Sequence, residues 1–161
     1  MTDGLSPLAP GCIAPDFTLR DQNNEQTNLA GFRGEKAVLM VFYPFAFTGI
    51  CTGELGRINA GIEQFANDSV QVLTISCDSP YAQKTFALRD DLKFPLLSDF
   101  WPHGAVAQAY GVFNPVVGVA NRGTFLIDVE GVIRFSECNE IGVGRDSQTW
   151  LDEIAALAVA V

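Results

Sequence analysis

The feature that most constrains this chain is a run of seven apolar residues, Ala37-Val38-Leu39-Met40-Val41-Phe42-Tyr43, stopped by Pro44. A strand with one face in water alternates apolar and polar residues. This run does not alternate, so it predicts a strand covered on both faces, as in a parallel or mixed sheet. Covering both faces requires layers on each side, which points to the α/β class. After Pro44 the period changes: Leu55, Ile58, Ile62 and Phe65 recur every three or four residues. That spacing predicts an amphipathic helix from about Thr52 to Ala66. A buried strand therefore runs through a short apolar loop, Pro44 to Ile50, into a helix, with Cys51 at its start.

The same reading extends along the chain. Asp16 to Leu19 is a short alternating stretch in a turn-rich opening and reads as an edge strand or hairpin arm. Val70 to Ile75 is a second buried strand. Ser79-Pro80 pairs a favoured N-cap with proline at the first helical position, opening a helix to about Arg89. Phe94 to Leu97 is short and extended, and Ala105 to Tyr110 is a short helix closed by Gly111. Thr124 to Asp128 and Val132 to Glu137 flank a turn ending in Gly131, a β-hairpin. Ser147 to Ala158 closes the chain as an amphipathic helix with Trp150, Leu151, Ile154 and Leu157 in phase. This order is a thioredoxin-like arrangement: a central mixed sheet flanked by helices, with an N-terminal extension and an insertion around residues 94–123 before the C-terminal hairpin. Periodicity alone leaves other α/β topologies open, so the site has to decide.

With 161 residues the prior is one domain spanning 1–161. The net charge of −9 argues against a nucleic-acid binder, which holds phosphates with clustered Lys and Arg. No membrane span is expected, because the longest apolar run, Ala37 to Phe47, has 11 residues and contains Pro44, against the roughly 20 needed. The opening Met1-Thr2-Asp3-Gly4 has no basic segment or apolar signal core, so the default expectation is cytoplasmic. Cys12, Cys51, Cys77 and Cys138 form neither a Cys-x-x-Cys nor a compact metal quartet. With His103 as the single histidine, no metal site is expected.

The chemistry concentrates at Pro44-Phe45-Ala46-Phe47-Thr48-Gly49-Ile50-Cys51. A cysteine at a helix N-terminus meets unpaired N–H groups and a partial positive charge, which favour a thiolate. Thr48 stands where a Cys-x-x-Cys motif would place its first thiol. Dithiol exchange within the motif is therefore impossible, but a hydroxyl can hydrogen-bond the sulfur or a substrate oxygen.

Pro44-x-x-x-Thr48-x-x-Cys51 resembles the peroxiredoxin signature in every fixed position. Phe42-Tyr43, Glu54, Ala14-Pro15-Asp16-Phe17, Phe94 to Asp99, Ala109 to Val112 and Arg122 to Asp128 follow the order of that family. The run Ser98 to Val106 is most similar to the actinobacterial one-cysteine subgroup of the alkyl hydroperoxide reductase E type. The resemblance implies a thiol-dependent peroxidase acting on hydrogen peroxide or organic hydroperoxides through a sulfenic acid on Cys51. It implies that Thr48 hydrogen-bonds the peroxide, that Pro44 shields the thiolate, and that Arg122 binds the sulfur and the departing oxygen. Glu54 would hold an arginine in place; read from the residues alone it is a first-turn carboxylate favoured by the helix dipole. Thr52 departs from the proline that many members carry after the cysteine. The implied partners are an external thiol reductant, mycothiol with a mycoredoxin or a thioredoxin-type donor, and a second copy in a homodimer. No metal, haem or flavin cofactor is implied.

Elementary kinetics supports the need for such a constellation. A free cysteine of pKa about 8.5 is about 3% thiolate at neutral pH. Full ionisation gains only about 30-fold, or about 2 kcal/mol of barrier. The rest has to come from donors aimed at the breaking O–O bond. Cys77, after an apolar strand, reads as a buried inert thiol, whereas Cys12 and Cys138 read as exposed and oxidisable. Gly56 stands where a nearby resolving thiol would be, five residues after Cys51. Cys138 is then the first candidate for a two-cysteine alternative. The other rivals are a peroxide sensor with little turnover and a non-catalytic interaction module. Trp101, in the apolar Phe100-Trp101-Pro102 stretch, is expected to be core or a dimer contact, and His103 a packing or interface residue.

Overall fold

A computed structural model describes residues 6–159. Its elements are β1 (Thr18–Arg20), β2 (Gln26–Asn28), β3 (Ala37–Phe42), α1 (Gly49–Ala60), α2 (Ile62–Phe65), β4 (Val70–Ser76) and α3 (Pro80–Asp90). They continue as β5 (Leu96–Ser98), α4 (Ala105–Ala109), β6 (Phe113–Asn114), β7 (Val119–Ala120), β8 (Arg122–Ile127), β9 (Ile133–Asn139) and α5 (Ser147–Val159). Seven strands form one mixed sheet in the order β2-β1-β5-β4-β3-β8-β9. The apolar run β3 lies inside it, parallel to β4 and antiparallel to β8. This is the thioredoxin-like sheet that the order of elements predicts, and the short ladder β6–β7 stands in the insertion.

The absence of alternation in β3 has a direct structural meaning. Leu39 and Val41 enter the core beneath α1, α3 and α5, with Leu55, Phe86 and Trp150. Val38, Met40 and Phe42 enter the opposite core with Tyr110 and Phe125. Each large side chain fully buried in this way contributes about 1.5–3 kcal/mol. α3 begins as its sequence predicts, with Ser79 Oγ accepting from the Ala82 N–H and Pro80 in the first turn. Gly111 closes α4 at φ +74°, where a Cβ would collide with the Ser6 carbonyl.

Several boundaries differ from the sequence reading. The helix expected from Thr52 begins at Gly49, because Thr48 already has the extended N-cap backbone (φ −81°, ψ 156°). It breaks at Gly61 (φ −111°, ψ 30°), so α2 is a separate turn. The first strand is displaced to Thr18–Arg20 and is one arm of a hairpin with β2. Strand β8 starts at Arg122 rather than Thr124. Strand β9 runs two residues past Glu137, carrying Cys138 into the ladder opposite Gly123. Among the described residues no helix is long and apolar enough to cross a membrane.

Candidate active site

The chain leaves β3 with the Tyr43 N–H still bonded to the Ile75 carbonyl at 2.9 Å. Pro44 is buried at the exit, and Ala46 is packed into the α1-side core. Phe47 sits at φ +70°, a left-handed backbone that costs a bulky residue on the order of 1–3 kcal/mol. That strain is held from outside. The Phe47 ring lies 5.2 Å from Phe86, and the Arg89 guanidinium stands 5.1 Å above it. Arg89 also donates to Thr52 Oγ1 at 3.1 Å, tying α3 to the first turn of α1.

Thr48 is the N-cap of α1, yet its hydroxyl donates back to the Phe45 carbonyl at 3.0 Å and caps no helical N–H. The N–H groups of Gly49, Ile50 and Cys51 open the helix without intrahelical partners, a position that attracts negative charge. Cys51 is the third residue of the helix, and its side chain is 0% exposed.

One turn on, Glu54 lies on the same buried face. Its Oε1 accepts from Arg122 Nη1 at 2.6 Å and from Arg145 Nη2 at 2.8 Å. Its Oε2 accepts from Arg145 Nε and from the Arg145 backbone N–H, both at 2.9 Å. Burial works to raise the Glu54 pKa, but the hydrogen bonds and charge of Arg145 and the charge of Arg122 outweigh it and hold the carboxyl below its ordinary value. Arg122, 2% exposed, also donates from Nε to the Ile141 carbonyl at 2.7 Å. Among the described residues its Nη2 makes no hydrogen bond. Arg145 Nη1 bonds the Gly123 carbonyl and Thr124 Oγ1, fixing the loop after β9 against β8. Two guanidinium groups on one carboxylate leave a local excess of positive charge on the helix face that bears Cys51.

The residues singled out in the sequence thus come together from three places: Pro44 and Thr48 in the loop, Cys51 and Glu54 on α1, Arg122 on β8. Between the helix-dipole reading of Glu54 and the arginine-holding one, the bonds favour the second. Among the described residues no group of three or more His, Cys, Asp or Glu side chains is placed to hold a metal ion.

The model of the AhpC/TSA family matches residues 10–136, well over half of the chain. The chain belongs to that family, the peroxiredoxins, which are thiol-dependent peroxidases. It is 54% identical over 150 residues to alkyl hydroperoxide reductase E of Mycobacterium tuberculosis, covering 93% of this chain and 98% of that one. It is 34% identical over 157 residues to the chloroplastic 2-Cys peroxiredoxin BAS1 of Hordeum vulgare, covering 91% and 74%. Among solved structures, the reduced 2-Cys peroxiredoxin of Plasmodium vivax matches with a TM-score of 0.86 at 29% identity, over 95% of this chain and 83% of that one. Peroxidoxin BcpB of M. tuberculosis matches with a TM-score of 0.80 at 28% identity, over 96% and 98%.

In this peroxiredoxin the remaining thiols lie outside the Pro44–Cys51 segment. Cys138 pairs with Gly123 and packs with the opposite core, across the sheet from Cys51. It is only partly exposed, and burial pushes its thiol up to about 11 despite the pull of Arg145. The expectation that Cys138 is exposed at a hairpin end is corrected by the longer β9. Cys77 is buried, and its thiol is pushed up to about 12 by burial and by the Asp99 charge. Cys12 is exposed, as its proline-rich surroundings suggest.

The residue that sequence reasoning missed is Arg145. Its one signal was indirect. Glu54 falls in phase with Cys51, Leu55 and Ile58 on the buried face, and a buried carboxylate needs cations to offset its lost hydration. Nothing in the sequence said which of the ten cationic residues would come.

Proposed function

We propose that this peroxiredoxin reduces hydrogen peroxide and organic hydroperoxides at Cys51 by a one-cysteine cycle. The observation that carries the reading is the convergence of the Cys51 helix turn with the Glu54–Arg122–Arg145 cluster. The thiolate sulfur attacks one peroxide oxygen and the O–O bond breaks. Its electron pair leaves on the second oxygen, which takes a proton and departs as water or an alcohol. Cys51 is left as a sulfenic acid. Two equivalents of an external thiol then return it to the thiol, releasing water and a disulfide. Thr48, once its hydroxyl proton turns from the Phe45 carbonyl to the peroxide, the first-turn N–H groups and the Arg122 Nη2 are the donors for the charge that develops on oxygen, and Pro44 keeps water from the sulfur. Mycothiol with a mycoredoxin, or a thioredoxin-type protein, is the reductant class we favour, in a cytoplasmic setting where thiols stay reduced.

Support for a single working cysteine comes from the two cores. A disulfide requires Cα atoms within about 7 Å, whereas Cys51 and Cys138 belong to opposite faces of the sheet. A thiol with a pKa of about 11 is also almost wholly protonated at neutral pH and a poor resolving nucleophile. One equivalent of peroxide is therefore expected to add one oxygen, about 16 Da, at the Cys51 peptide. Loss of about 2 Da with a Cys51–Cys138 linked peptide would establish the two-cysteine cycle instead. A sensor would show the same oxidation but no sustained peroxide consumption with added thiol.

The homodimer is proposed on Phe100 and Trp101, which are 51% and 80% exposed. Adjacent aromatic surface of this kind marks an interaction site. Sedimentation velocity at micromolar concentration is expected to give a dimer, and Trp101→Glu to shift it towards monomer. A monomeric wild-type protein would refute the assignment.

A further inference from the structure

The loop that carries Thr48 is tied to α1 at its end, where the Thr48 carbonyl accepts from the Thr52 N–H at 2.8 Å. Among the described residues, Ala46 supplies the one N–H of the Pro44–Thr48 run that is bonded to another element. It donates to Asp78 Oδ2 at 2.9 Å. Asp78 follows β4 and comes 32 residues later in the chain.

The carboxylate is itself aimed. Ser76 Oγ donates to the same Asp78 Oδ2 at 2.7 Å. Gln83 Nε2 donates to Ser76 Oγ at 3.1 Å and to the Leu97 carbonyl at 2.8 Å. Because Gln83 fills an acceptor position of the hydroxyl, the single Ser76 proton is directed at Asp78. Ser76 and Gln83 are both fully buried, and the Asp78 carbonyl is fixed by Ser98 Oγ at 2.6 Å. A buried polar chain thus runs from α3 through β4 to the middle of the loop, and no step of the peroxide chemistry above uses it.

We propose that Asp78 is a positioning residue of the peroxidase. Directed by Ser76 and Gln83, it holds the Ala46 N–H and so sets where Thr48 stands relative to Cys51. The inference rests on the reading of Cys51 as the thiol that meets peroxide. It extends that reading because Asp78 touches neither sulfur nor substrate and acts through the loop backbone. Ala46 lies midway between Pro44 and Thr48. With its N–H released, Phe47 keeps only its ring contacts, and Thr48 is free to drift by an ångström or so from its place at the head of α1. Donor misplacement on that scale costs about 100-fold in rate.

The test is a ratio of two rate constants at Cys51, measured by rapid mixing and read on the Cys51 peptide by mass spectrometry. One reagent is hydrogen peroxide, which needs the thiolate, access and the loop donors. The other is iodoacetamide, which needs only the first two. Asp78→Ala is expected to lower the peroxide-to-alkylation ratio by about 100-fold. Asp78→Asn is expected to keep it within about 5-fold, because both hydrogen bonds land on one oxygen and an amide oxygen can accept both. Ser76→Ala, which removes the donor that aims the carboxylate, is expected to lie between them. Should Asp78→Ala fail to fold, the Asn and Ser76 variants carry the comparison.

An unchanged ratio in Asp78→Ala, or in Ser76→Ala where that variant stands in, overturns the inference. So does an Asn variant that falls as far as the Ala variant, since charge rather than geometry would then be at work. A wild-type Cys51 that is alkylated but does not react with peroxide would instead overturn the functional reading beneath it, so the two failures are distinct.

Discussion

Cys51→Ser is expected to consume peroxide no faster than a protein-free blank. A serine hydroxyl is not ionised at neutral pH, and its oxygen cannot accept a second oxygen as sulfur does, so every step of the proposed cycle is lost at once. The substitution exchanges sulfur for a smaller oxygen at a buried position in the cluster that holds Leu55 and Ile58 and leaves the Glu54 cluster untouched. The fold should therefore persist, and thermal melting would show it. Replacing Cys12 or Cys138 by alanine should keep the rate within a few-fold of wild type, because neither touches the loop; Cys77→Ala should do so as well, because it removes a protonated thiol and leaves the Ser76 and Asp78 side chains in place. Peroxide consumption by Cys51→Ser near the wild-type rate would remove the basis of the mechanism, whatever the other variants do.

The second large effect is expected from Glu54→Ala. This change leaves Arg122 and Arg145 buried without their shared anion. Breaking a buried ion pair from one side costs about 3–5 kcal/mol, because the surviving charges keep their desolvation penalty. In a domain of this size that lowers Tm by roughly 10 °C. Peroxidase activity should fall as well, since Arg122 loses the contact that fixes its guanidinium. The pH dependence has a definite sign. The Glu54 pKa is lower in the folded protein than in the unfolded chain, where a glutamate titrates near 4.3. Its contribution to stability is therefore complete above that unfolded value and is lost as pH falls through the folded one. The melting difference between wild type and Glu54→Ala should be widest from neutral pH down to about 5 and should shrink under stronger acid. A difference that did not shrink as the pH falls below about 4 would show that the carboxylate is held by packing rather than by charge.

The parts of this molecule that could be read from the sequence are those where one signal dominates. The seven-residue apolar run could only be a strand covered on both sides, and Ser79-Pro80 could hardly be anything but a helix start. Where signals were weak or non-local, the reading failed in identifiable ways. Gly49 and Ile50 carry no helical period, and Thr48 takes the N-cap conformation without offering its side chain as a cap, so the true start of α1 was invisible. Gln26-Thr27-Asn28 is polar throughout and forms a strand only because Thr18 to Arg20 lies beside it. In the site, the local motif from Pro44 to Cys51 was legible because its spacing is short. Arg145, 91 residues from Glu54, was not, because only the closed sheet brings the two together. Asp78 escaped for the same reason.

That long separation has a consequence for the life of the chain. Synthesis runs from the N-terminus, and domains begin to fold in that order. The Cys51 turn emerges early, but both the Ile141 carbonyl that fixes Arg122 and the Arg145 guanidinium that shares Glu54 come from the segment after β9. A partly synthesised chain thus holds Cys51 and Glu54 before it holds the second cation of their cluster. On the mechanism proposed above, the full peroxide site is assembled only when the last loop closes over β8.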